Sequence, residues 1–314
     1  MTNLLDRLKA ALTAHPRGAR MAKTDDHPPR ADSRKPTHQD IDVYGTTHAG
    51  LVRKQNEDHF FTGNVSSGVF VDYTSIPSDV ERILEVEHFA NLAIIADGVG
   101  SGRGGEEAAR WAVQAVRQHV AREFHEAYAA EGTDPETFTR LLSDAALACH
   151  ERLLDRADQD PDRPRLATTL TLWLGLWPHA YLLQVGDSRC YLYRDDRLTQ
   201  ISRDQTMAQE LIDKGVLTQT KAHSTRWAHV LSSSIGGQQT APVVTKIERK
   251  WGTVVLLCSD GLTKHVSDDQ IGERLANLKS SRQACEDLVQ DVLDDGASDN
   301  VTIIVGRTIK PADL

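Results

Sequence analysis

The chain lacks most of the features that would place it in a specialised class. It has four cysteines in 314 residues, Cys149, Cys190, Cys258 and Cys285, scattered and with no C-x-x-C pair. That speaks against a disulfide framework and suits a reducing compartment. No apolar run approaches the roughly 18 residues of a membrane span. The start, Met-Thr-Asn-Leu-Leu-Asp-Arg-Leu-Lys, lacks the apolar core of a secretion signal. Positive charge is also short: 36 Lys and Arg face 45 Asp and Glu, a net charge of −9. A general nucleic-acid role is therefore disfavoured. A soluble, cytoplasmic chain with no membrane span is expected.

The charge is uneven. Residues 1–40 hold eight Lys and Arg against five acids, and the remainder holds 28 against 40. Within the first part, Leu4, Leu5, Leu8, Ala11 and Leu12 repeat at helical spacing, and a polar stretch with four prolines follows. We expect a short amphipathic helix and a flexible basic linker over 1–40, either a docking element or a frayed terminus.

From Ile41 the pattern becomes that of a folded domain. Strands are expected at 41–48, at 92–97 ending on Asp97, at 169–175, 180–186 and 189–194, at 242–249, at 253–260, and at 300–306. The pair around Gly186-Asp187-Ser188 is close enough to form a hairpin. Ala109, Val113, Val116, Val120 and Phe124 mark a long helix, and Phe138, Leu142, Ala145, Cys149 and Leu153 mark a second, opened by Asp134-Pro135. Further helices are expected near 268–276 and 280–293. Residues 205–237 form a polar, partly helical excursion, and residues 62–90 receive no assigned role. Helices segregated from consecutive strands point to an α+β fold with antiparallel sheets rather than a βαβ repeat.

The chemistry-bearing signal is a set of acids at strand ends. Asp97 ends an apolar strand under the Gly-rich turn Asp-Gly-Val-Gly-Ser-Gly-Arg-Gly-Gly. Asp260 ends Leu-Leu-Cys-Ser-Asp-Gly, Asp187 ends Gln-Val-Gly-Asp, Asp299 precedes the last strand, and Glu57-Asp58 stands beside a fourth. One such acid alone is more often a turn or cap residue. Five together, without matching buried cations, call for metal ions, and all-oxygen donors select hard ions such as Mg²⁺ or Mn²⁺.

These pieces resemble the metal-dependent serine/threonine protein phosphatases of the PPM, or type 2C, family, especially bacterial members. The resemblance rests on Gly50-x-x-Arg53-x-x-Asn56-Glu57-Asp58, Asp97-Gly98-x-Gly100 with Gly104-Gly105-Glu106, Thr168-Thr169, Gly186-Asp187-Ser188-Arg189, Ser259-Asp260-Gly261-Leu262 and Ser298-Asp299-Asn300-Val301, in family order. It covers about 41–307, leaving 308–314 as a C-terminal tail. It implies a four-layer α/β/β/α sandwich of two mostly antiparallel sheets, with a flap at about 206–237.

The resemblance also implies roles. Asp97 would bridge two Mn²⁺ or Mg²⁺ ions with the Gly98 carbonyl on one of them, and Asp260 and Asp299 would hold the other. Glu57 and Asp58 would act through water, and Arg53 would clamp the substrate phosphate. The implied reaction is hydrolysis of phosphoserine and phosphothreonine by a metal-activated water attacking in line. Phosphoprotein products of a serine/threonine kinase would be the substrates.

Three departures stand out. Val99 occupies the place of a histidine found in some relatives, so proton delivery would fall to water. His48, near Arg53, reads as structural. Lys264, four residues after Asp260, stands where relatives carry an acid, which leaves a third ion, near Asp187, in question. Two other functions fit the same residues: a non-catalytic module that binds a kinase or regulator through its tail and flap, and a phosphatase for a small phosphoester.

Overall fold

The structure is a computed structural model that describes residues 34–66, 69–74, 89–100, 103–131, 135–159, 166–222 and 225–309. The helix expected at 3–14, most of the linker, the Asp134 cap and the tail at 310–314 lie outside the described residues.

Alternating and continuous apolar runs become twelve strands: β1 Ile41–His48, β2 Asp58–Val65, β3 Val69–Thr74, β4 Ala90–Val99, β5 Ala167–Thr168, β6 Leu170–Leu176, β7 His179–Val185, β8 Arg189–Arg194, β9 Arg197–Gln200, β10 Val243–Glu248, β11 Val254–Cys258 and β12 Val301–Thr308. One sheet orders β1-β12-β11-β8-β9, the other β10-β7-β6-β4-β2-β3, with the short β5 on the end of β4. All described pairings are antiparallel. A 3-10 turn, His38–Asp40, precedes β1, and the Asp40 carbonyl accepts from the Ile309 N–H at 2.8 Å.

The helices are α1 Arg103–Glu131, α2 Pro135–Gln159, α3 Met207–Asp213, α4 Gln219–Ala222, α5 Asp260–Thr263, α6 Asp268–Ala276 and α7 Ser281–Asp294. The apolar stripe of α1, Ala109 to Phe124, and that of α2 from Phe138 to Leu153, are buried against the outer face of the β4 sheet. Helices α6 and α7 cover the other sheet through Ile271, Leu275, Ala284 and Leu288. Phe60, Ile95, Trp173, Leu182, Leu257 and Ile304 fill the space between the sheets. The result is the expected α/β/β/α sandwich. Three apolar layers, each large side chain worth roughly 2 kcal/mol of burial, hold the strands rigidly.

Two expectations need correction. Strands β7 and β8 do not form a hairpin: β7 pairs with β6 and β10, whereas β8 pairs with β11 and β9 in the other sheet. Gly186-Asp187-Ser188 is thus a crossing between layers, made by a backbone with Gly186 at φ 103°. The turn-length signal was right, but a three-residue link joins stacked sheets as readily as paired strands. Strand β4 also runs past Asp97 to Val99, because β5 extends its ladder through Gly98 and Val99.

Candidate active site

The acids converge at one edge of the sandwich because antiparallel pairing brings their strand ends together. Register sets Asp58 of β2 directly opposite Asp97 of β4. Asp260 opens α5 straight after β11, and Asp299 stands just ahead of β12, the neighbour of β11. Asp187 occupies the crossing between the sheets. Arg53, Glu57, Asp97, Gly98, Asp187, Asp260 and Asp299 all border one cleft of about 190 Å³, and a larger space of about 580 Å³ continues from Asp187 and Asp260 beneath α3.

Backbone contacts hold Asp97 in place. Its N–H donates to Thr169 Oγ1 at 2.9 Å, and its carbonyl accepts from Thr168 Oγ1 at 2.8 Å and from the Thr169 N–H at 2.8 Å. Thr169 Oγ1 is in turn 2.8 Å from Ser188 Oγ, which ties the turn bearing Asp187 to β4. The Gly98 N–H donates to the Glu57 carbonyl at 3.2 Å. A Cβ on Gly98 would overlap the Gly105 backbone, and one on Gly105 would stand 2.8 Å from Glu57 Oε2. The glycines therefore let the start of α1 close on the Asp97 turn.

The Glu57 and Asp299 segments are held by residues to which the sequence assigned no role. Asn300 accepts from the Glu57 N–H at 2.8 Å and donates to the carbonyls of Ala49 and Gln55, both at 2.9 Å. His265 lies 2.8 Å from Asp295 Oδ2, and its Nε2 accepts from the Ser298 N–H at 2.9 Å. Asn300 was visible as part of a motif, but His265 carries no sequence signal. His48 is structural as expected, its Nδ1 accepting from the Gly50 N–H at 2.9 Å.

The electrostatics show a surplus of negative charge. Burial raises the Asp97 pKa well above the carboxylate range, and the charges of Asp58, Asp260 and Asp187 add to the rise, against Lys264. Burial likewise lifts Asp187 to about 8, with Asp260 and Asp204 contributing. Asp58 is raised to about 6 by burial, although hydroxyls of Thr302 and Ser259 donate to its Oδ2 at 2.7 and 2.8 Å. Its Oδ1 is buried and accepts no hydrogen bond.

Asp299 behaves differently. Burial pushes its pKa up, but Lys264 and Arg53 outweigh this and hold it below the usual range. Arg53 grips it with Nε at 2.7 Å and Nη2 at 2.9 Å, and Lys264 Nζ reaches it at 2.7 Å. The same ammonium lies 2.6 Å from Asp260 Oδ2. Lys264 thus stands between Asp260 and Asp299 rather than against Asp187.

The donor set fits hard divalent ions. Every candidate ligand is oxygen, Oδ1 of Asp58 across from Asp97 is buried without a donor, and burial together with neighbouring negative charge raises the proton affinity of Asp97 and Asp187. Among the described residues, no three acidic, histidine or cysteine side chains already surround a common point. The Lys264 ammonium is one reason, since it draws Asp260 and Asp299 to itself.

Comparison with known proteins decides the family. A model described as protein phosphatase 2C matches residues 78–302. The chain belongs to the protein phosphatase 2C family. The serine/threonine protein phosphatase PstP of Mycobacterium tuberculosis H37Rv is 32% identical over 263 residues, which cover 83% of this chain and 43% of that protein. This phosphatase 2C chain therefore spans less than half the length of that relative. The serine/threonine phosphatase stp of Listeria innocua is 25% identical over 260 residues, 82% of this chain and 92% of that one. The solved catalytic domain of PstP, in complex with two manganese ions, superposes with a TM-score of 0.66 at 29% identity, covering 86% of this chain and 98% of that domain. Arg53, Asp97, Asp260 and Asp299 thus stand together in a chain of phosphatase 2C lineage.

Proposed function

We propose that the chain hydrolyses phosphoserine and phosphothreonine esters in proteins, using two Mn²⁺ or Mg²⁺ ions. The observation that carries this reading is the gathering of Asp58, Asp97 and Asp187, whose proton affinity is raised by burial and by neighbouring carboxylates including Asp260, beside the half-exposed guanidinium of Arg53. The bacterial serine/threonine phosphatases among the relatives, one solved with manganese, support the same chemistry.

In this reading Asp97 and the Gly98 carbonyl would hold one ion, and Asp97, Asp260 and Asp299 would hold the other. Bound there, the ions supply Lewis acidity and a water acidic enough to lose its proton near neutral pH. Glu57, fixed through its backbone by Asn300, would position the attacking water in the cleft. Arg53 exchanges its fork on Asp299 for the phosphate, whose oxygens present the same bidentate geometry. Asp58 is held by Ser259 and Thr302 and shapes the charge around Asp97. Val99 offers no proton, so solvent protonates the leaving alkoxide.

The substrates would be phosphoproteins made by a serine/threonine kinase, met in the cytoplasm, where the four buried, unpaired cysteines stay reduced. No described helix is long and apolar enough to cross a membrane. Residues 1–40 would serve as a docking segment. The test is phosphate release from a phosphothreonine peptide: it should require Mn²⁺ or Mg²⁺ and vanish in Asp97→Asn. Full turnover in excess chelator would reject the reading.

A further inference from the structure

A second cavity lies between the two sheets, at the strand ends opposite the acids. It encloses about 50 Å³ and is walled by apolar side chains such as Val43, Leu192, Ile247 and Ile304. Strand β4 lines it at Leu92 and Ala93 and reaches Asp97 further along. Five residues of extended chain, roughly 17 Å, therefore separate it from the acid cluster.

Arg249 borders this cavity, half-buried. Its backbone N–H donates to the Pro178 carbonyl at 2.9 Å, but its guanidinium meets no carboxylate among the described residues. The guanidinium lies over the Trp177 ring, 5.9 Å from its centroid. Burial alone lowers its pKa to about 10, and no acid pulls it back. Arg307, the other arginine on the cavity, is by contrast paired with Asp42 at 3.0 Å. Glu248 is exposed and does not contribute to the Arg249 shift.

The guanidinium is not the sole donor. A Cβ on Gly175 would stand 2.9 Å from Arg249 Nη1 and 3.0 Å from Trp173 Nε1, so both donors converge over that glycine. The hydroxyl of Thr253, on the same cavity wall, is buried without a hydrogen-bond partner. A half-buried cation without an acidic partner, beside spare donors in an apolar cleft, is stabilised when an anion completes it. The planar guanidinium matches a carboxylate in bidentate fashion, and the space admits only a few non-hydrogen atoms.

We propose that this cleft binds a small aliphatic monocarboxylate. The carboxylate sits on the Arg249 guanidinium and the Trp173 indole N–H, and the hydrocarbon end lies between Leu192 and Ile304. A phosphate dianion fits poorly, because its second charge meets no second free cation among the described residues: Arg307 is already paired with Asp42. The site is distinct from the acid cluster and independent of metal.

The test is titration of the full metal-free chain with butyrate, read by the Trp173 indole N–H resonance and by thermal shift. Chloride and butylammonium are the comparison ligands. A saturable shift with butyrate is expected, weakened at least tenfold in Arg249→Met and in Trp173→Phe, the latter read by thermal shift. Arg249→Met should melt no lower than the parent without ligand, since the charge it removes has no acidic partner. If that variant does not fold, Gly175→Ala, which crowds both donors, should weaken binding instead. No saturable shift with butyrate, an equal response to chloride, or undiminished binding by the donor variants would overturn the proposal.

Discussion

Replacing Lys264 by methionine separates the two tasks its ammonium performs. The side chain is 24% exposed and touches Asp260 at 2.6 Å and Asp299 at 2.7 Å. At an effective dielectric near 20, each such contact is worth roughly 6 kcal/mol of raw attraction. Desolvation of the ammonium and solvent reaching the carboxylates cancel most of it, leaving about 1–3 kcal/mol of net stability. Lys264→Met should lower the melting temperature of the metal-free protein accordingly, because two acids then face each other with only Arg53 between them and charge balance. The same change removes a positive charge from the place a divalent ion must share. Metal affinity should therefore rise about 10- to 100-fold, the equivalent of roughly 1.4–2.8 kcal/mol. Calorimetric Mn²⁺ titration and melting curves with and without metal measure both effects. The reasoning predicts opposite signs, apo stability down and metal affinity up. A variant that binds Mn²⁺ no more tightly than the parent would refute the claim that the ammonium competes with the ion.

Three further outcomes follow from the same site. Asp97→Asn should abolish metal-dependent phosphate release, by at least about a thousandfold, while leaving the metal-free melting temperature equal or higher, since it removes a carboxyl whose ionisation burial and its neighbours oppose; retained turnover would reject the assigned role. The metal-free protein should lose stability as pH rises. Asp58 and Asp187 are ordinary carboxylates when unfolded but titrate near 6 and 8 when folded, so the folded state binds more protons between about pH 4 and 8 and that advantage disappears above 8. Melting temperatures across this range, flat or rising with pH, would contradict the charge crowding, and Mn²⁺ should flatten the slope. Thr169→Val leaves the Asp97 N–H without its acceptor and should cost about 1–2 kcal/mol, with a fall in kcat larger than any change in KM; a loss confined to stability would show that Thr169 does not position Asp97.

Much of the fold was legible from periodicity. The stripes Ala109 to Phe124 and Phe138 to Leu153 are buried as expected, because a long amphipathic helix has one way to hide its apolar face. The apolar runs before Asp97 and Asp260 are core strands for the same reason. Short polar pieces were harder. Strand β9 and the assignment of β7 and β8 to different sheets depend on which partner is adjacent, and local spacing carries no such information. At the site, residue types announced themselves as a set, but His265 and the hydroxyl of Ser259 act through contacts 33 and 201 positions away in the chain.

The sequence by itself determined the order of elements, the family resemblance and the acids, glycines and arginine available for chemistry, since each is a matter of residue type at a spacing along the chain. Only the tertiary structure decided that Asp58 faces Asp97 across a strand pair, that Lys264 and Arg53 both settle on Asp299, and that Arg249 borders the space between the sheets with no acid beside it among the described residues. Charges choose partners by distance and burial, and both are set by how the sheets stack rather than by the order in which their residues are joined.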